Sequence, residues 1–381
     1  MTTTWQTAAA HLANLVAPPG TVLHEAVSVT PRHALVPKWW EPKAGSTAME
    51  WALTGPAVDE PWGKVYADLT LVTRVGPTHA DHAAPTDLAV GAPTSSSTMP
   101  GLVTRMLQLM WLEPGHQVLD IGTGSGYSAA LLAYLQGDDL VTSVDIDPYL
   151  VQAAQGRVAA FGRTPRFETC DVTGGLPEGE WDRAVSMVSV RPVPGSWITA
   201  LGPGAQFVTT IANTPLLVQF AIDFDSIAYG TVDRGPATFM RTRSTTDYAP
   251  RFDATYLSAR DTEGDEVRKA NGPIPDLWTE WELRCLFELD TPDIELRTGA
   301  DDDGNSNGVV WLLGADGAWA RAEVATGLVH QDGPRRLWDE LERVRANWEE
   351  NGTFSMRDLV FEATIESTIA VAPTDSWTIT L

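Results

Sequence analysis

Residues 118–126 read V-L-D-I-G-T-G-S-G, and no other stretch constrains the fold as strongly. Val118 to Ile121 is a short apolar run with an acid inside it, and Gly122, Gly124 and Gly126 follow at alternate positions before a helical pattern. Glycine lacks a Cβ, so the backbone there can turn sharply and come close to a bound molecule. Around this turn, from Gly101 to Phe207, helical and strand-like patterns alternate. Leu102, Met106, Leu107, Met110 and Leu112 recur at near-helical spacing, and a helical stretch covers Ala129 to Leu135. Strands are expected at Leu140 to Val144, near Phe167 and over Ala184 to Val188. Such alternation predicts a parallel sheet covered on both faces.

The glycine spacing alone is a weak signal, compatible with an ordinary tight turn or a dinucleotide site. The pattern is G-x-G-x-G rather than the G-x-G-x-x-G that seats a pyrophosphate. Asp145 ends the next strand, where a carboxylate can accept both hydroxyls of a ribose. An acid in that position also occurs in dinucleotide sites, so the methyl-donor reading rests on the combination. Asp147 is read as a helix N-cap because Pro148 follows at the favoured first helical position. Asp171 falls where a third strand would end, either as a turn carboxylate or as an acceptor for an adenine amino group.

At 381 residues the chain is long for a single core, so one catalytic domain and a second unit are expected. The 43% hydrophobic content and fifteen Trp suit a folded protein throughout. A formal charge of −24 disfavours nucleic acid, whose backbone requires a basic face. Residues 216–381 carry −16 of that charge, either as a solubility surface or as a docking face for a basic or neutral peptide. Cys170 and Cys285 provide neither a disulfide framework nor metal-ligand spacing, which fits a reducing cytoplasm. Met1 to Leu15 lacks the basic start and long apolar stretch of a signal peptide, although Ala8, Leu12 and Leu15 can line a short helix.

Ala205 to Ile222 carries no charge over eighteen residues, but Gln206, Asn213 and Pro215 interrupt it. Two buried strands joined by an Asn213-Thr214-Pro215 turn are expected rather than a membrane span. Beyond residue 216, strand-like segments at Gly308 to Leu313 and Ala318 to Val324 accompany one clear helix, Pro334 to Trp348. That helix places Leu337, Leu341, Val344 and Trp348 on one face, with Arg336 four residues before Glu340 on another. Short polar clusters occur at Thr94 to Thr98 and at Asp301 to Asp303.

Several further motifs make the first 215 residues or so resemble the protein-L-isoaspartate O-methyltransferases. Val29 to Pro37 (V-T-P-R-H-A-L-V-P) looks like the family's V-P-R-x-x-F-V-P opening, and Val65 to Asp68 like its Y-x-D strand. Thr94 to Pro100 (T-S-S-S-T-M-P) sits where the family has its T-I-S-x-P acceptor loop, and Asp120 to Tyr127 is close to its D-x-G-x-G-S-G-Y cradle. Trp181-Asp182, Pro192, Pro194 and Leu201 to Gly204 follow the order of its later motifs. Two departures stand out. Thr98 occupies the position of the family's loop serine, and Met187 to Arg191 replaces a run of small residues.

The resemblance implies an α/β fold: a Rossmann-like class I methyltransferase with a doubly wound sheet over residues 1–215, and an additional C-terminal α+β domain over 216–381. It implies S-adenosyl-L-methionine as cofactor, with S-adenosyl-L-homocysteine as product. Asp120, Gly122, Thr123, Gly124, Tyr127, Asp145, Ile146, Asp171 and Val172 would hold it. The long C-terminal half looks like extended actinobacterial homologues that act on ribosomally made, modified peptides, so the expected partner is a peptide substrate.

A peptide carboxylate has an ordinary pKa near ~4 and is ionised at neutral pH, so it needs alignment more than a strong base. Thr98, with Ser97 and Ser96, is therefore the expected set of catalytic hydroxyls. Ser/Thr runs also occur in loops simply to satisfy local backbone groups. Arg191, after the expected Val185 to Val190 strand, is a candidate contact for the acceptor carboxylate. His33 reads as structural, and the scattered histidines suggest no metal site.

Overall fold

The computed structural model describes residues 4–43, 50–56, 62–244, 252–300, 306–373 and 377–381. Met1 to Thr3 and the Asp301 to Asp303 cluster lie outside the described residues. Three helices open the chain: α1 (Trp5–Val16), α2 (Val22–Val29) and the short α3 (Arg32–Leu35). Thr4 and Thr21 cap the first two by accepting the N–H groups of Thr7 and His24. Leu12 is buried on the packed face of α1, whereas Leu15, expected beside it, is exposed.

An antiparallel sheet of six short strands follows. Its members are β1 (Trp39–Pro42), β2 (Glu50–Thr54), β3 (Leu71–Val75), β4 (Thr78–His79), β5 (Leu88–Val90) and β6 (Pro93–Ser97). The segment expected as a Y-x-D strand instead makes a tight 3-10 turn, Lys64–Tyr66. The hydroxyl cluster expected as a loop is strand β6, paired with β3 through Leu71↔Ser97 and Val72↔Ser96. Immediately beyond it, helix α4 (Pro100–Leu109) starts with Pro100 in its first turn, and Asp68 accepts the Gly101 N–H at 2.7 Å.

The large sheet is then laid down as the alternating pattern predicts. Strand β7 (Val118–Ile121) leads into α5 (Tyr127–Gln136), β8 (Val141–Asp145) into α6 (Pro148–Ala159), and β9 (Arg166–Thr169) is followed by β10 (Arg183–Val190), α7 (Gly195–Leu201) and β11 (Gln206–Ile211). These strands are parallel in the order β11-β10-β7-β8-β9. The winding reverses between β7 and β10, and the crevice beyond the strand ends at such a reversal is where ligands bind in doubly wound sheets.

Strands β12 (Leu217–Ile222) and β13 (Ala228–Val232) continue the same sheet in antiparallel sense. The turn between β11 and β12 falls at Asn213, which adopts a left-handed φ of 61°. The chain then leaves the sheet. It forms α8 (Asp253–Ala259), β14 (Glu266–Lys269), α9 (Trp281–Asp290), β15 (Ile294–Ala300), β16 (Ser306–Gly314), β17 (Trp319–Glu323), β18 (Leu328–Asp332) and α10 (Leu337–Glu350). The five strands of this excursion make an antiparallel sheet, β14-β18-β17-β16-β15. Leu337, Leu341 and Val344 of α10 are buried as their spacing predicts. Glu340, however, pairs with Arg335, while Arg336 reaches back to Asp265.

Finally β19 (Val360–Ala363), β20 (Thr368–Val371) and β21 (Thr378–Thr380) return to the edge of the large sheet, which thereby reaches ten strands. The expected boundary at residue 215 therefore lies in a hairpin inside one sheet, not between two units. Aromatic packing runs straight across it. Phe207 stacks on Phe220 at 4.7 Å, Trp197 meets Phe207 edge-on, and Phe361 meets Phe220 from the returning strand. Gly230 leaves room for that stack, since a Cβ there would lie 2.5 Å from the Phe220 ring.

Phe220→Ala is expected to lower stability by about 3–5 kcal/mol, as for other fully buried aromatic side chains. Truncation after residue 215 should abolish the cooperative thermal transition seen by circular dichroism. A truncated chain that still melted cooperatively would show that the first 215 residues hold a complete core.

Candidate active site

A cavity of about 710 Å³ opens at the reversal point, within the range of small-molecule sites. The glycine turn forms its floor, and all three glycines adopt positive φ: 91° at Gly122, 50° at Gly124 and 84° at Gly126. Gly124 is where the turn meets the end of β6. A Cβ there would stand 3.3 Å from the Ser96 carbonyl on a residue already at positive φ, so glycine lets the turn and the end of β6 meet without strain.

Beneath the turn, Asp120 is completely buried and is not part of the cavity wall. Its Oδ2 accepts hydrogen bonds from Ser143 Oγ at 2.7 Å and Ser128 Oγ at 3.0 Å, and Ser143 Oγ is also 2.7 Å from Thr123 Oγ1. One carboxylate thus links β7, β8 and the start of α5. Burial pushes it up to about 7; the two hydroxyl bonds oppose that rise and the charge of Asp145 adds to it. Asp120 acts on a ligand only through the turn it holds.

Asp145 lines the cavity, as do Ile146 and Val172. Its Oδ2 accepts Gly124 N–H at 3.0 Å and its Oδ1 accepts Asp147 N–H at 3.1 Å. Burial raises this carboxyl above the usual carboxylate range, with the two backbone bonds opposing. Asp147 caps α6 by accepting Tyr149 N–H at 2.9 Å, and Arg74 of β3 pairs with it at 2.7 Å. Asp171 is exposed and outside the cavity wall, its Oδ1 holding the N–H and hydroxyl of Thr173, so the structure favours the turn-carboxylate alternative. Gly122, Thr123 and Tyr127 all face the cavity.

The three hydroxyls proposed from the sequence divide by strand alternation. Ser96 and Thr98 line the cavity, while Ser97 is turned inward with its hydroxyl buried. Ser97 therefore leaves the candidate set. Arg191 leaves it as well: its guanidinium donates to the carbonyls of Glu288 (2.8 Å) and Leu289 at the end of α9, and it does not line the cavity. The cavity's guanidiniums come instead from Arg241 and Arg243, on a segment (236–243) that closes its far side. Sequence reasoning missed them because this segment lacks a regular pattern and lies beyond the expected domain boundary.

Arg32 was also unforeseen. Its side chain is fully buried, and its two terminal nitrogens donate to the carbonyls of Val65 (3.0 Å), Ala67 (3.1 Å), Leu69 (2.9 Å), Ser97 (3.3 Å) and Thr98 (3.3 Å). It lies over the Tyr127 ring at 5.6 Å, and burial lowers it to about 10. Arg32 thereby fastens the end of β6 above the glycine turn. His33, next to it, bonds the Tyr66 hydroxyl at 2.6 Å among Trp5 and Trp62, as a structural histidine should. Among the described residues no cluster of His, Cys, Asp or Glu could hold a metal ion, and no helix is long and apolar enough to cross a membrane.

Residues 76–232 match the family model described as protein-L-isoaspartate(D-aspartate) O-methyltransferase. A protein-L-isoaspartate O-methyltransferase from an Anaeromyxobacter species is 34% identical over 175 residues, which span 44% of this chain and 78% of that one. Another, from Thermococcus onnurineus, is 36% identical over 117 residues, 30% of this chain and 53% of its own length. The chain spans about half the length of most curated relatives it matches. A solved structure of a protein-L-isoaspartate O-methyltransferase aligns over 97% of this chain and 99% of its own, with a TM-score of 0.53 at 18% identity. That likeness establishes the class I methyltransferase fold, and it extends over the C-terminal half.

Two measurements test this geometry. The folded Asp120 carboxyl titrates near 7 and an unfolded one near ~3.9, so the folded state binds the extra proton between them. Its contribution to stability is greatest below that window and is lost as pH rises through it. Asp120→Asn keeps an acceptor for both serines and should flatten the decline in denaturation midpoint between about pH 4 and 7; an unchanged slope would refute the assignment. Arg32→Lys, with fewer and differently directed donors, should lower stability by about 2–4 kcal/mol. Hydrogen exchange should then accelerate first at 65–70 and 97–99, and a uniform acceleration would contradict the fastening role.

Proposed function

The chain belongs to the protein-L-isoaspartate O-methyltransferase family, and on that premise we propose that it methylates a peptide carboxylate with S-adenosyl-L-methionine as donor. The observation that carries this reading is the meeting of three parts in one cavity: a positive-φ glycine turn, Asp145, and the hydroxyls of Ser96 and Thr98. When bound, the cofactor supplies an electrophilic methyl group. Gly122, Thr123 and Gly124 would form the cradle that holds it, in a turn that packs closely because a Cβ at Gly122 would meet Val188 at 3.2 Å and one at Gly124 would meet the Ser96 carbonyl. Asp145 would accept its ribose hydroxyls, and Ile146, Leu150 and Val172 would supply apolar walls.

Thr98 and Ser96 orient the acceptor carboxylate by hydrogen bonding. Neither has to remove a proton, because the carboxylate is already ionised at neutral pH. Tyr127 and Met187 close the cavity with apolar surface and limit competing water. Methylation makes the carboxylate a better acyl donor. The following backbone nitrogen of the peptide can attack it, methanol leaves, and a five-membered succinimide forms.

The specific substrate we propose is an aspartate in a ribosomally made, modified peptide, with the succinimide (aspartimide) as the purposeful product and residues 233–359 taking part in recognition. A second reading, general isoaspartyl repair, draws support from the 34% identity to a protein-L-isoaspartate O-methyltransferase over 78% of that protein.

Mass spectrometry of peptides incubated with the donor tests the reaction: gain of one methyl group, then loss of methanol, is expected. Asp145→Ala should weaken donor binding at least about tenfold in calorimetry, and Thr98→Val should slow transfer by about one to three orders of magnitude at nearly unchanged donor affinity. Normal turnover by Thr98→Val would remove the hydroxyl from the mechanism. Equal rates on any isoaspartyl peptide would favour repair over maturation.

A further inference from the structure

The segment 236–243 is tied to the sheet at several points. Ala237 N–H donates to Pro215 O at 2.9 Å, Ser189 N–H to Met240 O at 2.8 Å, and Thr242 N–H to Ser189 O at 2.8 Å. Ser189 Oγ adds a bond to Phe239 O at 3.1 Å. From helix α4, Arg105 holds the preceding turn through Asp233 (2.5 Å) and the Gly235 carbonyl (2.8 Å). The segment thus runs beside the end of β10, where β7 has already turned away, and forms a fixed wall of the cavity rather than a loose loop.

Arg241 and Arg243 are the only cationic side chains among the described residues that line this cavity. In a chain of net charge −24, that placement is specific. The two arginines occupy different depths. Arg243 lies close enough to Asp145 for its charge to oppose part of the rise that burial causes in that carboxyl. Arg241 sits at the rim, half exposed, donating to the Arg191 carbonyl at 3.2 Å and facing Asp293 Oδ1 at 3.6 Å. An exposed pair at that distance contributes little, so a ligand carboxylate offering two-pronged hydrogen bonds can replace it.

We propose that these arginines read an acidic acceptor peptide: Arg243 contacts the carboxylate to be methylated, and Arg241 binds a second carboxylate about two residues away. The spacing follows from geometry, because residues two apart in extended chains lie about 6.5 Å apart on both sides of such a contact. This inference rests on the methyl-transfer reading, and it makes the chain's acidic surface a background against which only an arginine-lined cavity accepts an acidic peptide. The link from Arg241 to the Arg191 carbonyl, and from Arg191 to the end of α9, also ties this wall to the C-terminal excursion.

The test uses two peptides that differ only by Glu or Gln two residues from the aspartyl acceptor. The full-length protein should show a kcat/KM about tenfold higher for the Glu peptide, mainly through KM, with the preference shrinking at high salt. Arg241→Gln should abolish the preference while leaving thermal stability and affinity for S-adenosylhomocysteine unchanged, and Arg241→Lys should restore part of it. Arg243→Gln should depress both peptides equally. Equal use of the two peptides by the unaltered protein, or a preference surviving Arg241→Gln, would overturn the proposal. Peptide binding is measured in parallel by calorimetry with S-adenosylhomocysteine present. A Glu preference in binding without any methyl transfer would support the arginine assignment and count against the methyl-transfer reading alone.

Discussion

The buried Arg32 guanidinium is the interaction on which the site depends. Moving an ion out of water costs several kcal/mol, and here no carboxylate bonds the charge directly. Five backbone carbonyls from two stretches of chain meet that demand together. The arrangement is tolerable only if residues 65–69 and 97–98 converge on one point, so the desolvated cation enforces the convergence. Since Ser97 ends β6 and Thr98 follows it, the same contact holds the hydroxyl strand against the large sheet. Gly124 completes the seam from the other side by admitting the Ser96 carbonyl. The candidate site is the gap left between two sheets that these contacts keep in register.

What could be read in the sequence was local. The strand-turn-helix around Gly122, the Asp147 cap and the Asn213 turn each depend on a few neighbouring residues, and each stands as expected. Thr98 and Ser96 were identifiable from their hydroxyls, but which member of the cluster faces inward depends on β6 being a strand, and that is decided by pairing with β3. Arg191 failed for a related reason. Its position at the end of β10 was inferred well, yet the carbonyls of α9 that capture it lie about a hundred residues away. The boundary at residue 215 was misplaced because a change in composition marks where the helices stop, not where hydrogen bonding between strands stops.

The continuous sheet changes how the C-terminal half should be understood. It is an excursion from the catalytic sheet that leaves after β13 and returns at β19, anchored by Phe361 on Phe220 and by Gly195 packed against the Ile365 backbone. Its fold is shared nearly end to end with a solved structure of a protein-L-isoaspartate O-methyltransferase. Distinctive chemistry lies where the excursion begins, in the arginines of residues 236–243. A negative surface surrounding a locally cationic cavity is an electrostatic filter, favouring ligands whose charge is concentrated where the guanidiniums are.

The central claim is that this glycine turn with Asp145 holds a methyl donor rather than a dinucleotide. Parallel calorimetric titrations of the full-length protein with S-adenosylhomocysteine and with NAD test it most directly. One saturable site for S-adenosylhomocysteine, weakened when Asp145 is replaced, and no heat from NAD is the result the structure predicts. Saturable NAD binding with no response to S-adenosylhomocysteine would contradict it.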